Sequence, residues 1–159
     1  MTEPVRDDAQ VAIQSRAGRY LGFNLGKQLF AVEILKVREI VCGLSVTPIP
    51  RAEKSIRGVI NLRGKIIPVV DLRTTLGMSE TLLDERTCFI VVDVVRASLP
   101  AQMGVLVDAV SDVFSLKPED IEPAPALEME LAASTILGIS QLKGVVRILL
   151  DIQALLGSV

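Results

Sequence analysis

Short, mostly apolar β-type runs, broken by polar residues and glycine, recur along most of the chain. Three pairs of such runs flank a two-residue turn containing glycine: YLGFNL and QLFAVE around Gly26-Lys27, IRGVINL and KIIPVV around Arg63-Gly64, and ILGISQL and VVRILL around Lys143-Gly144. Glycine suits these positions because tight hairpin turns require positive φ, which a Cβ resists. Further β-branched runs at 41–47, 87–94, 102–107 and 109–114 bring the expectation to about ten short strands, enough for one or two small barrels. Helical signal is scant. Residues 71–77 and 151–157 each open on an aspartate and stop at glycine, the pattern of a short capped helix. Ile34 and Val37 fall on one face of a single helical turn between Glu33 and Glu39. Residues 118–125 read as an acidic surface loop, and 77–86 as a linker between halves.

An internal repeat organises these pieces. Residues 56–77 align with 136–157 without a gap, so that Ile56, Gly58, Leu62, Gly64, Asp71, Leu76 and Gly77 meet Ile136, Gly138, Leu142, Gly144, Asp151, Leu156 and Gly157. Arg63 meets Lys143, and Asn61 meets Gln141. Upstream, Val37-Arg-Glu-Ile40 overlays Val110-Ser-Asp-Val113 only at a different offset. Two related β units follow, each a hairpin feeding a capped helix, and each too small to complete a core alone. Gly58, Gly64, Gly138 and Gly144 are assigned to the structural turns of these hairpins.

Composition then narrows the function classes. The chain has 159 residues, half of them apolar, no histidine, two cysteines and a net charge of −2. One domain or two small subdomains sharing a core is expected, and bulk disorder is not. The N-terminus lacks a basic start followed by an apolar stretch, and no apolar run reaches the length of a membrane span, so a cytoplasmic protein without direct membrane insertion is expected. Residues 1–17 are read as a flexible arm. Without a secretory signal, Cys42 and Cys88 are expected as reduced core residues rather than a disulfide. Lacking histidine, the chain has no Ser–His or Cys–His pair, and two cysteines cannot make a zinc site alone. No enzyme, metal or cofactor is expected.

Residues 56–71, IRGVINLRGKIIPVVD, resemble a phosphate loop only superficially. Five residues separate Gly58 from Gly64, and Ile66 rather than Ser or Thr follows Lys65, so neither the backbone cradle nor the metal-binding hydroxyl is available. Residues 51–73 carry six basic and two acidic side chains, and 117–130 one and five. The basic stretch has no aromatic platform for single-stranded nucleic acid, so a solvated or protein-binding face is preferred and no nucleic-acid partner is expected. Tyr20, Phe23, Phe30, Phe89 and Phe114 read as core. Glu39 and Arg63 have opposite charge and could meet across a groove as a bidentate pair, with Asp112 and Lys143 at comparable points of the second half.

ILKVREI (34–40), TPIPRAEKSIRGVINLRGKIIPVVDLR (47–73), ERTCFIVVDV (85–94), MGVLVDAVSDVFSL (103–116) and LGISQLKGVVRILLDI (137–152) resemble the CheW family of bacterial chemotaxis coupling proteins, in the family's order, over roughly residues 18–157. That resemblance implies an all-β fold of two SH3-like five-stranded β-barrel subdomains around a shared hydrophobic core, with approximate halves 18–77 and 86–157. It also implies a non-enzymatic adaptor between the cytoplasmic tip of chemoreceptors and the C-terminal regulatory domain of the histidine kinase CheA. Ile34, Val37, Glu39, Arg63, Gly104 and Val105 would map to the partner-binding groove. Two rival readings remain: the same role in a non-flagellar array pathway such as pilus-based motility, and a small-ligand or nucleic-acid-binding barrel.

Overall fold

The structure, a computed structural model, describes residues 16–79, 82–84, 87–123 and 135–157. The expected arm lies outside the described residues except at its end, where Tyr20 Oη donates to the Arg16 carbonyl at 2.6 Å.

Among the described residues, eleven strands form two sheets. The first contains β1 (Gly18–Leu25), β2 (Gln28–Glu33), β8 (Ala109–Leu116), β9 (Ile121–Glu122), β10 (Ile136–Leu142) and β11 (Val145–Leu150), in the order β8-β1-β2-β11-β10-β9. The second contains β3 (Val37–Cys42), β4 (Ile56–Leu62), β5 (Lys65–Asp71), β6 (Cys88–Arg96) and β7 (Leu99–Val107), in the order β3-β6-β7-β5-β4. The helices are short: α1 (Leu72–Thr75), α2 (Ile152–Leu156) and 3-10 turns at Ile34–Lys36 and Pro118–Asp120. Asp71 and Asp151 cap the two α-helices by accepting from the backbone N–H of Arg73 and Ala154, as the sequence pattern predicts.

The sheets are copies of one design. Each has an antiparallel central hairpin (β6-β7 or β1-β2) whose second strand runs parallel to a strand of the repeat hairpin (β5 or β11). In each, an edge strand, β3 or β8, flanks the first strand across a bulge. The segment after that edge strand then reaches the far edge. Thr47 bridges to Val59 in one unit, and β9 pairs with β10 in the other. Each sheet thereby closes into a small SH3-like barrel. The barrels are not contiguous halves of the chain, because β1 and β2 join β8–β11 while β3–β7 stay together.

Closure on one face and sheet-to-sheet packing on the other explain the strands that are apolar on both sides. In β6, Phe89 and Val91 point into their own barrel with Ile60, Ile67, Val69 and Leu106. The alternate residues Ile90, Val92 and Val94 enter a core shared with Leu21, Phe23, Phe30 and Val32 of the other sheet, which both helices cover through Leu72, Ile152, Leu155 and Leu156. Tyr20, Ala31, Leu116, Ile121, Leu137 and Leu149 fill the remaining barrel. Phe23 and Phe30 stack with centroids 5.7 Å apart.

Within the strands and turns, three expectations need correction. Gly64 and Gly144 do occupy hairpin turns, at φ +86° and +78°, but Gly58 and Gly138 lie inside strands, at register shifts of β4 and β10. The strand expected at 41–47 is instead Val37–Cys42, because residues 44–47 leave the sheet to close the barrel. Cys42 and Cys88 are neither core nor separate: they are register partners on β3 and β6, at the surface, with Cα atoms 4.1 Å apart, and are joined as a disulfide. The β6-β7 turn was not anticipated, because it uses Ala97 and Ser98 at positive φ where glycine or asparagine is usual.

At Gly144 a Cβ would meet nothing within 4 Å, so Gly144→Val tests backbone conformation alone. It is expected to cost about 1–3 kcal/mol, read as a lower urea midpoint with unchanged slope.

Candidate functional site: a latched groove edge

The repeat places a positively charged tip beside an edge strand. In the β4-β5 hairpin, Asn61 Oδ1 accepts from the Gly64 N–H at 2.8 Å, which fixes the turn and projects Arg63 outward at φ +52°. Barrel closure brings this tip to β3, on the opposite edge of the sheet, where Arg63 Nη2 donates to Glu39 Oε1. The expected Glu39–Arg63 pair therefore forms. Arg63 is 71 % exposed and Glu39 29 %, so the carboxylate is the sheltered partner. The hydrogen bond with Glu39, and then its charge, hold the Arg63 guanidinium above its ordinary pKa. An exposed pair adds little stability, so its effect is to orient the tip. Lys65 Nζ donates to Gln102 Oε1 at 2.9 Å and tethers the other side of the hairpin to β7.

The remaining candidates lie on different levels of this region. Ile34 and Val37 are half-buried against the shared core, so they position the turn. The apolar side chain that the turn presents outward is Leu35, 89 % exposed, which sequence reasoning passed over, and Ile40 and Ile66 are exposed nearby in sequence to Glu39 and Arg63. Gly104 and Val105 are buried in β7, Val105 at 1 %. Gly104 shares a ladder row with Val91 and Glu39, and its missing side chain faces Val69, Ile60 and Phe89. Both residues support the sheet behind the site and present no side chain to a partner, which corrects their assignment as contacts.

In the other barrel, ladder register makes Asp112 the counterpart of Glu39 and Val113 that of Ile40. The electrostatics differ. Asp112 meets Arg147 at 3.8 Å rather than Lys143, and Arg147 lies over the Phe114 ring at 4.3 Å. The latched tip thus belongs to one barrel, although both carry the hairpin.

A second ionic junction, missed from sequence, ties the barrels together. Arg73 of α1 donates through Nε at 2.9 Å and through Nη2 to the two oxygens of Asp108, between β7 and β8. Asp108 also accepts from the Gly26 N–H of the β1-β2 turn at 2.5 Å. The Arg73 hydrogen bond holds the Asp108 carboxyl below its usual range, with Gly26 assisting and burial opposing. Because its folded pKa is depressed, its stabilisation is complete above the ordinary value near 3.8 and is lost as pH falls through the lower folded value. The stability difference between wild type and Asp108→Asn should be level at neutral pH and shrink only below about pH 4; a difference constant down to pH 2 would contradict this.

Among the described residues, no group of three or more His, Cys, Asp or Glu could hold a metal, and no helix is long and apolar enough to cross a membrane. Two closed barrels around one core, with a charged tip latched to an edge strand and exposed aliphatic side chains at Leu35, Ile40 and Ile66, define an all-β module. The CheW-like domain matches residues 19–159, and the chain belongs to that family. It is 37 % identical to the chemotaxis protein CheW of Klebsiella aerogenes over 94 % of this chain and 88 % of that one. It is 33 % identical to protein FrzA of Myxococcus xanthus over 86 % and 83 %. The crystal structure of the scaffolding protein TtCheW from Thermoanaerobacter tengcongensis superposes with a TM-score of 0.76 at 30 % identity, covering 87 % of this chain and 92 % of that one. The family is one of chemotaxis scaffold and adaptor proteins.

Proposed function

We propose that this chain is a non-enzymatic cytoplasmic adaptor that links the cytoplasmic tip of chemoreceptors to the C-terminal regulatory domain of the histidine kinase CheA. The observation that carries the reading is the Glu39–Arg63 latch on the edge strand that follows the turn bearing exposed Leu35. It offers a helical partner an aliphatic contact and an oriented cation on one edge, the chemistry of helix-in-groove recognition. Two barrels provide two surfaces, and repetition in an array compensates for modest individual contacts.

Arg63→Glu places two carboxylates together and should splay the tip without entering the core. Receptor-dependent kinase activation in a reconstituted mixture is expected to fall about tenfold or more, the equivalent of 1.4 kcal/mol of lost contact, with an unchanged melting temperature. Full coupling by a folded variant would remove Arg63 from the site. The same role in a non-flagellar pathway is a second reading, compatible with the likeness to FrzA. The genes adjoining this one distinguish the two.

A further inference from the structure

We propose that Cys42 and Cys88 form an exchange-competent dithiol–disulfide site whose co-substrates are small-molecule disulfides and thiols of the glutathione class, and that its oxidation pins the edge strand bearing Glu39. The inference rests on the proposed docking role only for its consequence.

The backbone alone brings the sulfurs together. Cys42 and Cys88 are direct register partners, and the adjacent bond from the Gly43 N–H to the Thr87 carbonyl, at 3.1 Å, marks them as a non-hydrogen-bonded pair, the closer of the two antiparallel spacings. The pair lies at the surface, Cys42 exposed and Cys88 half-buried. Exposed disulfides exchange more readily than buried structural ones. The ladder counterparts in the other barrel, Ser115 and Arg19, cannot form such a bond, so the device is peculiar to the barrel with the latched tip.

Its location gives it leverage. Cys42 ends β3 three residues beyond Glu39 and begins the segment that closes the barrel at Thr47. Leu44 and Val46 of that segment pack against the barrel interior. β3 has a neighbour on one side only, β6. The disulfide adds a covalent hold where the ladder ends.

In the oxidation, the Cys42 thiolate attacks one sulfur of glutathione disulfide and expels a glutathione thiolate, leaving a mixed disulfide at Cys42. The Cys88 thiolate then attacks Cys42 Sγ, forming the intramolecular bond and expelling the second glutathione thiolate. The two protons released by the cysteines go to the two glutathione thiolates. The protein dithiol is oxidised and one disulfide is reduced.

The test uses the full chain in glutathione buffers of graded ratio, with free thiols counted by mass spectrometry after alkylation. Both thiols should be lost together and reversibly in monomeric wild type, while Cys88→Ser should halt at the mixed disulfide on Cys42. Oxidation should raise the melting temperature by roughly 10 °C, as expected for closing a loop of this length, and slow amide exchange across 39–43. Two persistent free thiols under glutathione disulfide, or intermolecular dimers alone, would overturn the exchange site. Identical amide exchange at 39–43 in both redox states would overturn the pinning. None of these readouts needs a partner, so failure of the chain to bind receptor or kinase in either redox state would refute the coupling reading and leave the exchange site standing.

Discussion

Replacing Asp71 with alanine is expected to cost about 3–5 kcal/mol, the usual consequence of removing one member of a buried ion pair. Asp71 is fully buried, and Arg57, only 17 % exposed, donates to its Oδ2 at 2.8 Å. The other carboxylate oxygen caps α1 by accepting from the Arg73 N–H at 3.0 Å. Alanine therefore removes the cap and takes the Asp71 carboxylate away from a sheltered guanidinium. The repeat supplies the control. Asp151 caps α2 in the same way, with 3.1 Å to the Ala154 N–H, but Leu137 stands where Arg57 stands in the first copy. Asp151→Ala should thus cost only about 1 kcal/mol, the ordinary value of a cap. Urea unfolding of the two variants checks the difference, and equal losses would mean that the Arg57 pair contributes nothing.

Gly58→Ala is the second large effect. A Cβ at residue 58 would lie 2.2 Å from the Thr47 carbonyl oxygen and 2.8 Å from its carbon. Both are backbone atoms of the segment that closes the barrel through reciprocal hydrogen bonds between Thr47 and Val59, each 2.9 Å. Neither can yield without opening that bridge. The residue also sits at φ +146°, where an L side chain is strained. Overpacking and backbone strain together are expected to cost about 4 kcal/mol, a large part of the stability of a small domain. Gly64→Ala, at φ +86° with open space around the new methyl, should cost only about 1 kcal/mol. Comparable losses at the two glycines would show that Thr47 does not cross at Gly58.

The local features of the fold were legible because they are written in adjacent residues. Turn glycines at 64 and 144, capping aspartates at 71 and 151, and the apolar β-type runs of β4, β5, β10 and β11 all act within a few positions of themselves. The repeat extended this further, since matching hairpins imply matching barrels, and the ladder places Asp112 in the second barrel at the position equivalent to Glu39. What the sequence hid depends on closure between distant strands. Gly58 looked like a turn residue because Thr47, which crosses it, is remote in the chain; an isolated glycine inside a strand pattern was the available signal. Cys42 and Cys88 could be recognised as partners only through the β3-β6 register. Asp108 gave no sign of its junction with Arg73 and Gly26, because a helix and two turns far apart in the chain meet there. In the site itself, opposite charge was enough to anticipate Glu39–Arg63. The burial of Gly104 and Val105 followed instead from their place in the central strand β7. Leu35 was overlooked because helical spacing directed attention to Ile34 and Val37, the residues facing inward.

The most direct measurement is a capture experiment in which an immobilised receptor cytoplasmic fragment is offered the co-occurring CheA, with and without this chain. Bridging predicts that the kinase is retained when wild-type chain is present and falls towards background when it is omitted or replaced by Arg63→Glu. A correctly folded chain that holds neither receptor nor kinase, or kinase retention indifferent to its presence, would contradict the adaptor role.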